Sequence, residues 1–216
     1  MSETTTSDEA KYPWLKPGDS GNPFPMECID VRALTLYVTA STGNPAVAQR
    51  FGELRRSDGR EFHGRTPDDP VALETTLVYP LPAEPLGPVL YRAAEMEEKW
   101  DVYFDGTHAY LTRSWTGQLA FVLAVAIDGH KLRVTRVTAS RPQLYGQESF
   151  AARVVDFIVR THVLEIAMPH PLPEMLLGKT GHELALFSFS QFGRVGQFGS
   201  FEDTTMFKLK PRLRVL

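Results

Sequence analysis

The chain has 216 residues, 43% of them hydrophobic and 23% charged, with a formal net charge of −3 and a pI near 6.1. That composition is enough for one sizeable core and supplies no basic field to gather nucleic acid or an anionic membrane surface. Cys28 is the single cysteine, which excludes an intrachain disulfide, and the longest apolar run, Leu119 to Ile127, is far short of the ~20 residues of a membrane helix.

Residues 1–10 are polar and acidic without periodicity and read as a disordered tail; they lack the basic and apolar regions of a secretory leader, so a cytoplasmic location is expected. Residues 11–27 hold four prolines and two glycines, which break regular structure. They also hold Tyr12, Trp14, Leu15, Phe24 and Met26, which suit an irregular arm anchored on the body of one domain spanning 11–216 or, as the alternative, a docking peptide. Cys28 to Ala40 approaches period two and predicts a strand, with Cys28 a buried, inert thiol. Asn44-Pro45 is a helix cap and first-turn pair, followed by Ala46, Val47, Phe51 and Leu54 at helical spacing up to Gly59; Arg50, Arg55, Arg56 and Arg60 are expected on its solvent side.

After a polar loop over 57–70, Ala72 to Tyr79 reads as another strand. Prolines punctuate 80–88, and Val89, Leu90, Ala93, Ala94 and Met96 predict a short helix ending in Glu95, Glu97 and Glu98. An acidic helix C-terminus opposes the macrodipole, which hints at a basic partner such as Arg113.

Residues 99–138 organise the chain. Asp105-Gly106 and Asp128-Gly129 lie between aromatic and β-branched runs, and Thr116-Gly117 is a third short connection, so four antiparallel strands are expected over about 99–104, 107–115, 118–127 and 130–138. Type I′ turns at the Asp-Gly pairs would set Val102 against Ala109, Trp100 against Leu111 and Glu98 against Arg113. The middle turn would set Leu111 beside Val122 and Tyr110 beside Leu123 unless a bulge near Ser114 intervenes. Glu98 and Arg113 beside Trp100, Ser114 and Trp115 then form a candidate site: an arginine held for an anionic ligand, with an indole to stack on a planar group. An ordinary sheet-edge ion pair is the plainer reading. Both faces of this sheet are apolar and need cover, from helices on one side and from the N-terminal arm or a partner on the other.

Residues 148–162 predict a helix of about four turns. Met168 to Pro173 must be extended, 174–177 suits a single helical turn, and 183–192 fits strand and helix equally. The 190–203 stretch interleaves Phe192, Phe198 and Phe201 with glycines, which suits either a tight turn pinned into the core or a loop closing over a ligand, with Arg194 as a further anion-binding candidate. Residues 206–216 read as an edge strand with a basic outer face.

Tests for known chemistry fail. Gly178-Lys179-Thr180 lacks the first glycine of a phosphate loop, Leu186 stands where a zincin helix needs its second histidine, and Gly193, Gly196 and Gly199 are not at dinucleotide spacing. No metal or cofactor is expected.

The segments Met96-Glu-Glu-Lys-Trp100, Tyr103-Phe104 and Arg113-Ser-Trp-Thr-Gly117 resemble a pattern of small uncharacterised bacterial domains, some of which look like neighbours of ADP-ribose-processing proteins. The resemblance implies an accessory or recognition module in which Glu98, Trp100, Arg113, Ser114 and Trp115 are the residues to test. The expected fold is α+β, a mainly antiparallel sheet with the 99–138 meander and two to three packed helices. The expected function is a non-enzymatic binding or interaction module for a protein partner or a small anionic ligand. The alternative is a small enzyme or ligand-binding domain with its pocket at Glu98, Arg113 and Trp115, for a phosphorylated or nucleotide-like ligand.

Overall fold

Tight reversals set the register of the larger sheet, and their geometry follows from one glycine each. In the computed structural model, which describes Asp8, residues 10–81 and residues 86–205, Gly106 has φ +100° and Gly129 φ +58°, while Thr107 and His130 stay out of the left-handed region. The central pairs are therefore Gly106-Thr107 and Gly129-His130, as in a type II′ turn, and not the Asp-Gly pairs of a type I′ turn. Asp105 closes the first reversal by accepting from the main-chain N–H groups of Thr107 (2.8 Å) and His108 (2.7 Å). One residue of displacement in the turn moves the pairing by two, so Phe104 faces Ala109, Val102 faces Leu111 and Trp100 faces Arg113. The expected pairing of Glu98 with Arg113 is thereby corrected. At the middle connection Leu111 faces Phe121 and Tyr110 faces Val122, and the register then slips so that Thr112 faces Leu119. Ala120 is the extra residue of that bulge, which lies on the strand opposite the one expected to carry it.

The α+β architecture consists of a six-stranded antiparallel sheet and a smaller mixed one. The large sheet has the order β3-β8-β7-β6-β5-β4, from β3 (Pro70–Pro80), β4 (Val89–Tyr91), β5 (Trp100–Phe104), β6 (His108–Arg113), β7 (Leu119–Asp128) and β8 (Lys131–Ser140). The small sheet has the order β1-β2-β10-β9, from β1 (Trp14–Leu15), β2 (Cys28–Asp30), β9 (His170–Pro171) and β10 (Phe198–Ser200). Its β9/β10 pair is parallel and the others antiparallel.

Two expected elements are corrected. The strand over 28–40 stops at Asp30, whose carboxylate takes the main-chain N–H of Arg32 (3.0 Å) and turns the chain into the one-turn helix α1 (Arg32–Thr35). The helix over 89–98 is instead β4 followed by turns, because Phe104 N–H donates to Pro88 C=O (2.9 Å) and Ala93 N–H to the Asp101 carboxylate (2.8 Å), both in line with the sheet. The helices over 45–54 and 181–192 start at side-chain caps and that over 148–158 does not. Asn44 accepts from Ala46 N–H to start α2 (Pro45–Leu54). The helix α3 (Glu148–Ile158) runs into a wide turn over Val159–Val163. The ambiguous 183–192 stretch is helical, in α4 (Gly181–Phe192), because Thr180 and Glu183 make a reciprocal capping box. The polar tail expected over 1–10 lies largely, and the basic edge strand expected over 206–216 wholly, outside the described residues.

One face of the large sheet packs Trp100, Val102, Leu111, Phe121 and Val137 against Phe150, Val154, Phe157 and Ile158 of α3, together with Phe192 from α4. The other face gathers Tyr103 and Tyr110 under Leu54 of α2 and Phe62 of the 3₁₀ turn Arg60–Phe62. The N-terminal arm does not cover that face. It is absorbed into the small sheet, where Phe24, Met26 and Cys28 pack with Phe198. Nor does Arg55 lie on the solvent side of α2: it reaches the fully buried Asp101 at 2.5 Å and so ties the helix to β5.

Candidate functional site

The residues singled out in the meander come together, but mostly as one another's structural support. Trp100 is buried in the main core and its indole N–H donates to Gln191 C=O (2.8 Å). Arg113 lies with its guanidinium over the Trp100 ring, 4.7 Å from the centroid, and donates to the carbonyls of Gln191 (3.0 Å) and Ser190 (2.6 Å). Those carbonyls belong to the last turn of α4, so the guanidinium caps the negative end of that helix. Burial without a carboxylate beside it lowers the pKa of Arg113 to about 10. The hydroxyl of buried Ser114 donates to Glu98 C=O (2.6 Å), and the Trp115 indole N–H to Met96 C=O (2.7 Å). Lys99, which sequence reasoning passed over, lies with its ammonium between Trp115 (4.4 Å) and Phe189 (4.6 Å) and donates to Met96 C=O (2.7 Å); burial, then the charge of Arg113, lowers its pKa to about 8.

Glu98 and Arg194 differ from the rest, because both line a cleft of about 750 Å³ between the two sheets. Its walls come from five separate parts of the chain: 21–24 of the arm, Arg32 of α1, Glu98 before β5, the segment 161–168 after α3, and 194–198 leading into β10. Phe24, Ile166, Met168 and Phe198 give it an apolar floor. Arg32 is held by Asp30 through Nη2 (2.6 Å) and Nε (3.0 Å) and lies over the Phe198 ring at 4.8 Å. The hydrogen bond that the guanidinium donates to Asp30 raises the Arg32 pKa, and Arg32 Nη1 makes no hydrogen bond among the described residues. Arg194 pairs through Nη1 with Glu95, while its Nε–H is shielded from solvent and has no acceptor among the described residues. Both guanidiniums keep about two-fifths of their side-chain surface exposed, 42% and 41%. Glu98 accepts from Ala94 N–H (2.5 Å) and from the Tyr91 hydroxyl, whose pKa burial and then this bond raise. Glu165, a non-glycine residue at φ +54°, adds a second carboxylate to the cleft.

Two buried histidines stand behind these walls. His162 has a Tyr91 ring edge at 4.7 Å and His170 is stacked on Phe192 at 4.7 Å; neither Nε2 has a partner among the described residues. Burial lowers their pKa values to about 4 and about 3, so both are neutral. Burial pushes the Cys28 thiol up to about 12, as suits an inert group. Among the described residues no three His, Cys, Asp or Glu side chains converge to hold a metal ion, and no helix is long and apolar enough to cross a membrane.

Compared with protein-family models, with curated proteins and with solved structures, the chain matches none.

Proposed function

We propose that the chain is a non-catalytic binding module that takes its ligand into the inter-sheet cleft through an anionic group. The observation that carries this reading is Arg194: a cleft-lining guanidinium, 41% exposed, that Glu95 holds through Nη1 while Nη2 makes no hydrogen bond among the described residues and is left to meet an anionic acceptor. Arg32 supports it from another part of the wall, because Asp30 and the Phe198 ring hold its guanidinium in one orientation and leave Nη1 to spare. The cleft volume lies within the range of small-ligand pockets, and its apolar floor would take the uncharged part of a ligand. The recognition role implied by the resemblance of residues 96–117 belongs to the same reading, with the site moved from Arg113 to Arg194.

The test is a thermal-shift screen with nucleotides, phosphosugars and short peptides on wild type, Arg194→Gln, Arg32→Gln and, as a remote control, Arg136→Gln. At least one probe is expected to stabilise wild type and the control, and to lose its effect in Arg194→Gln. A shift equal in wild type and Arg194→Gln, or silence across the panel, overturns the reading.

A further inference from the structure

We infer that the ligand is an organic anion with an apolar body, of the class of alkyl and aryl carboxylates, and not a sugar phosphate or a nucleotide; the inference rests on the cleft being an anion site. What selects this class is the set of groups that the cleft has left to offer. Its neutral polar side chains are largely taken up by the protein itself. Asn22 offers its amide N–H groups to the carbonyls of Leu15 (3.0 Å), Lys16 (3.0 Å) and Met26 (2.9 Å), and its oxygen accepts from Phe24 N–H (2.9 Å) and the Cys28 thiol (3.3 Å). The Thr161 hydroxyl donates to Phe157 C=O (2.6 Å) and meets His162 Nδ1 at 2.8 Å. On the main chain, the N–H groups of Ile166, Arg194, Gly196 and Gln197 donate to carbonyls of Arg160, Glu97, Gly193 and Val195. Glu98 accepts from Ala94 N–H and the Tyr91 hydroxyl, and Glu165 has a partner within the chain.

A ribose, a base edge or a sugar ring carries several polar groups, and each one buried without a partner costs the bonds it made to water. Among the neutral side chains on these walls, only the Gln197 carboxamide makes no hydrogen bond among the described residues, which is too little for such a ligand. The charged donors that remain are Arg32 Nη1 and Arg194 Nη2, and the unbonded N–H groups of Ala167 and Met168 add donors again; all of them suit an anionic oxygen. Next to them the walls present Pro23, Ala167 and Val195 above the apolar floor, side chains that gain from an apolar body and offer a hydroxyl nothing.

Calorimetry with hexanoate, octanoate and decanoate, each below its micelle concentration, and with ADP and glucose 6-phosphate tests this on wild type, Arg194→Gln, Val195→Thr and Gln197→Leu. In wild type the carboxylates are expected to bind about three- to fourfold more tightly for each added methylene. Arg194→Gln is expected to weaken all three about tenfold, as loss of a charge-assisted bond does, and Val195→Thr to flatten the rise with chain length. Gln197→Leu removes the remaining free carboxamide and is expected not to weaken them. In the thermal-shift screen, peptides with apolar side chains and a free terminal carboxylate are expected to respond, and nucleotides and phosphosugars are not. Arg194-dependent binding of ADP or the phosphosugar, with no response to the carboxylates, overturns the apolar body and leaves the anion site standing. Carboxylate affinity that is flat with chain length, or that falls in Gln197→Leu, overturns the apolar body as well. A rise with length that Arg194→Gln leaves untouched, or silence from every probe, overturns both.

Discussion

Arg113 spends its donors on main-chain carbonyls, and the expected consequence is a stability phenotype with no binding phenotype. Arg113→Ala removes two charge-assisted bonds to the α4 terminus and the cover over Trp100. A loss of about 3 kcal/mol in urea denaturation is expected, with cleft binding unchanged at temperatures where the variant is folded. The buried histidines set the acid limb of the stability curve. Their folded pKa values lie below the ordinary 6.5, so between pH 6.5 and about 4 the unfolded chain holds more protons and stability falls as pH falls. From pH 7 to pH 5 each costs about 2 kcal/mol, and His162→Phe, which keeps a ring against Tyr91 and Phe157, is expected to recover that amount of the pH 7-to-5 loss. An equal pH dependence in wild type and His162→Phe would mean that His162 is not neutral in the fold. The candidate cleft was only partly legible at this scale: Glu98 and Arg194 came from sequence, but Arg32 sits unremarked in the stretch expected as a strand over 28–40 until Asp30 and Phe198 are seen to hold it. Lys99 carries no signal in its spacing, since both of its aromatic neighbours arrive from other elements.

Elements with a clear apolar period along one face were readable in advance, and those that depend on a distant partner were not. Asn44-Pro45 and the broad apolar face after Gln147 placed α2 and α3 to within a few residues, because cap and periodicity are local. β4 was read as part of a helix because Val89, Leu90, Ala93, Ala94 and Met96 recur at helix-like spacing, and only the edge of β5 makes 89–91 a strand. Both Asp-Gly turns were located correctly but one residue out of phase: Asp105 serves as the acceptor that closes its turn, and glycine takes the first central position. The β5/β6 pairing thus survived a register error of two residues, since a shift of two keeps every side chain on its face, whereas at β6/β7 the expected register was one residue out and put Val122 where Phe121 stands. Docking of α2 has a sharper dependence. Asp101 is wholly buried, accepts from Arg55 and Ala93, and has its pKa raised by burial against those bonds. Asp101→Asn leaves the Arg55 charge without its partner, and a loss of about 3 to 5 kcal/mol is expected. Hydrogen exchange should show that loss first in 45–54, with the α3 amides protected as before; uniform loss of protection would count against a local tether. Thr180→Ala opens the α4 capping box, and a smaller loss of about 1 kcal/mol is expected from the same denaturation measurement.

The two sheets differ in what holds them, which decides whether they unfold together. The large sheet has its own core under α3, whereas the small sheet is built from short strands scattered through the chain and rests on clusters around Ile29, Leu172 and Leu184 and around Met26 and Cys28. Such short strands are marginal alone. Their link to the large sheet is α4: Leu184 and Ala185 face the small-sheet cluster, while Phe192 enters the main core and meets Phe157 at 4.8 Å and, on β9, His170 at 4.7 Å. The 194–198 wall of the cleft follows directly on α4, so the placing of that helix bears on the cleft. Phe192 therefore joins both bodies through one side chain. Fluorescence of Trp100 and Trp115 reports on the large sheet and that of Trp14, stacked on Phe201, on the small one. With Trp14→Phe as the comparison, wild type is expected to unfold in one transition in which both signals coincide. Phe192→Ala removes a buried ring, and a loss of about 3 to 5 kcal/mol is expected. If α4 is the coupling element, that loss is accompanied by separation of the Trp14 signal to lower urea while the large-sheet signal shifts less. Coincident transitions in Phe192→Ala would show that the sheets are coupled through other contacts, and the cleft would then keep its shape without this ring.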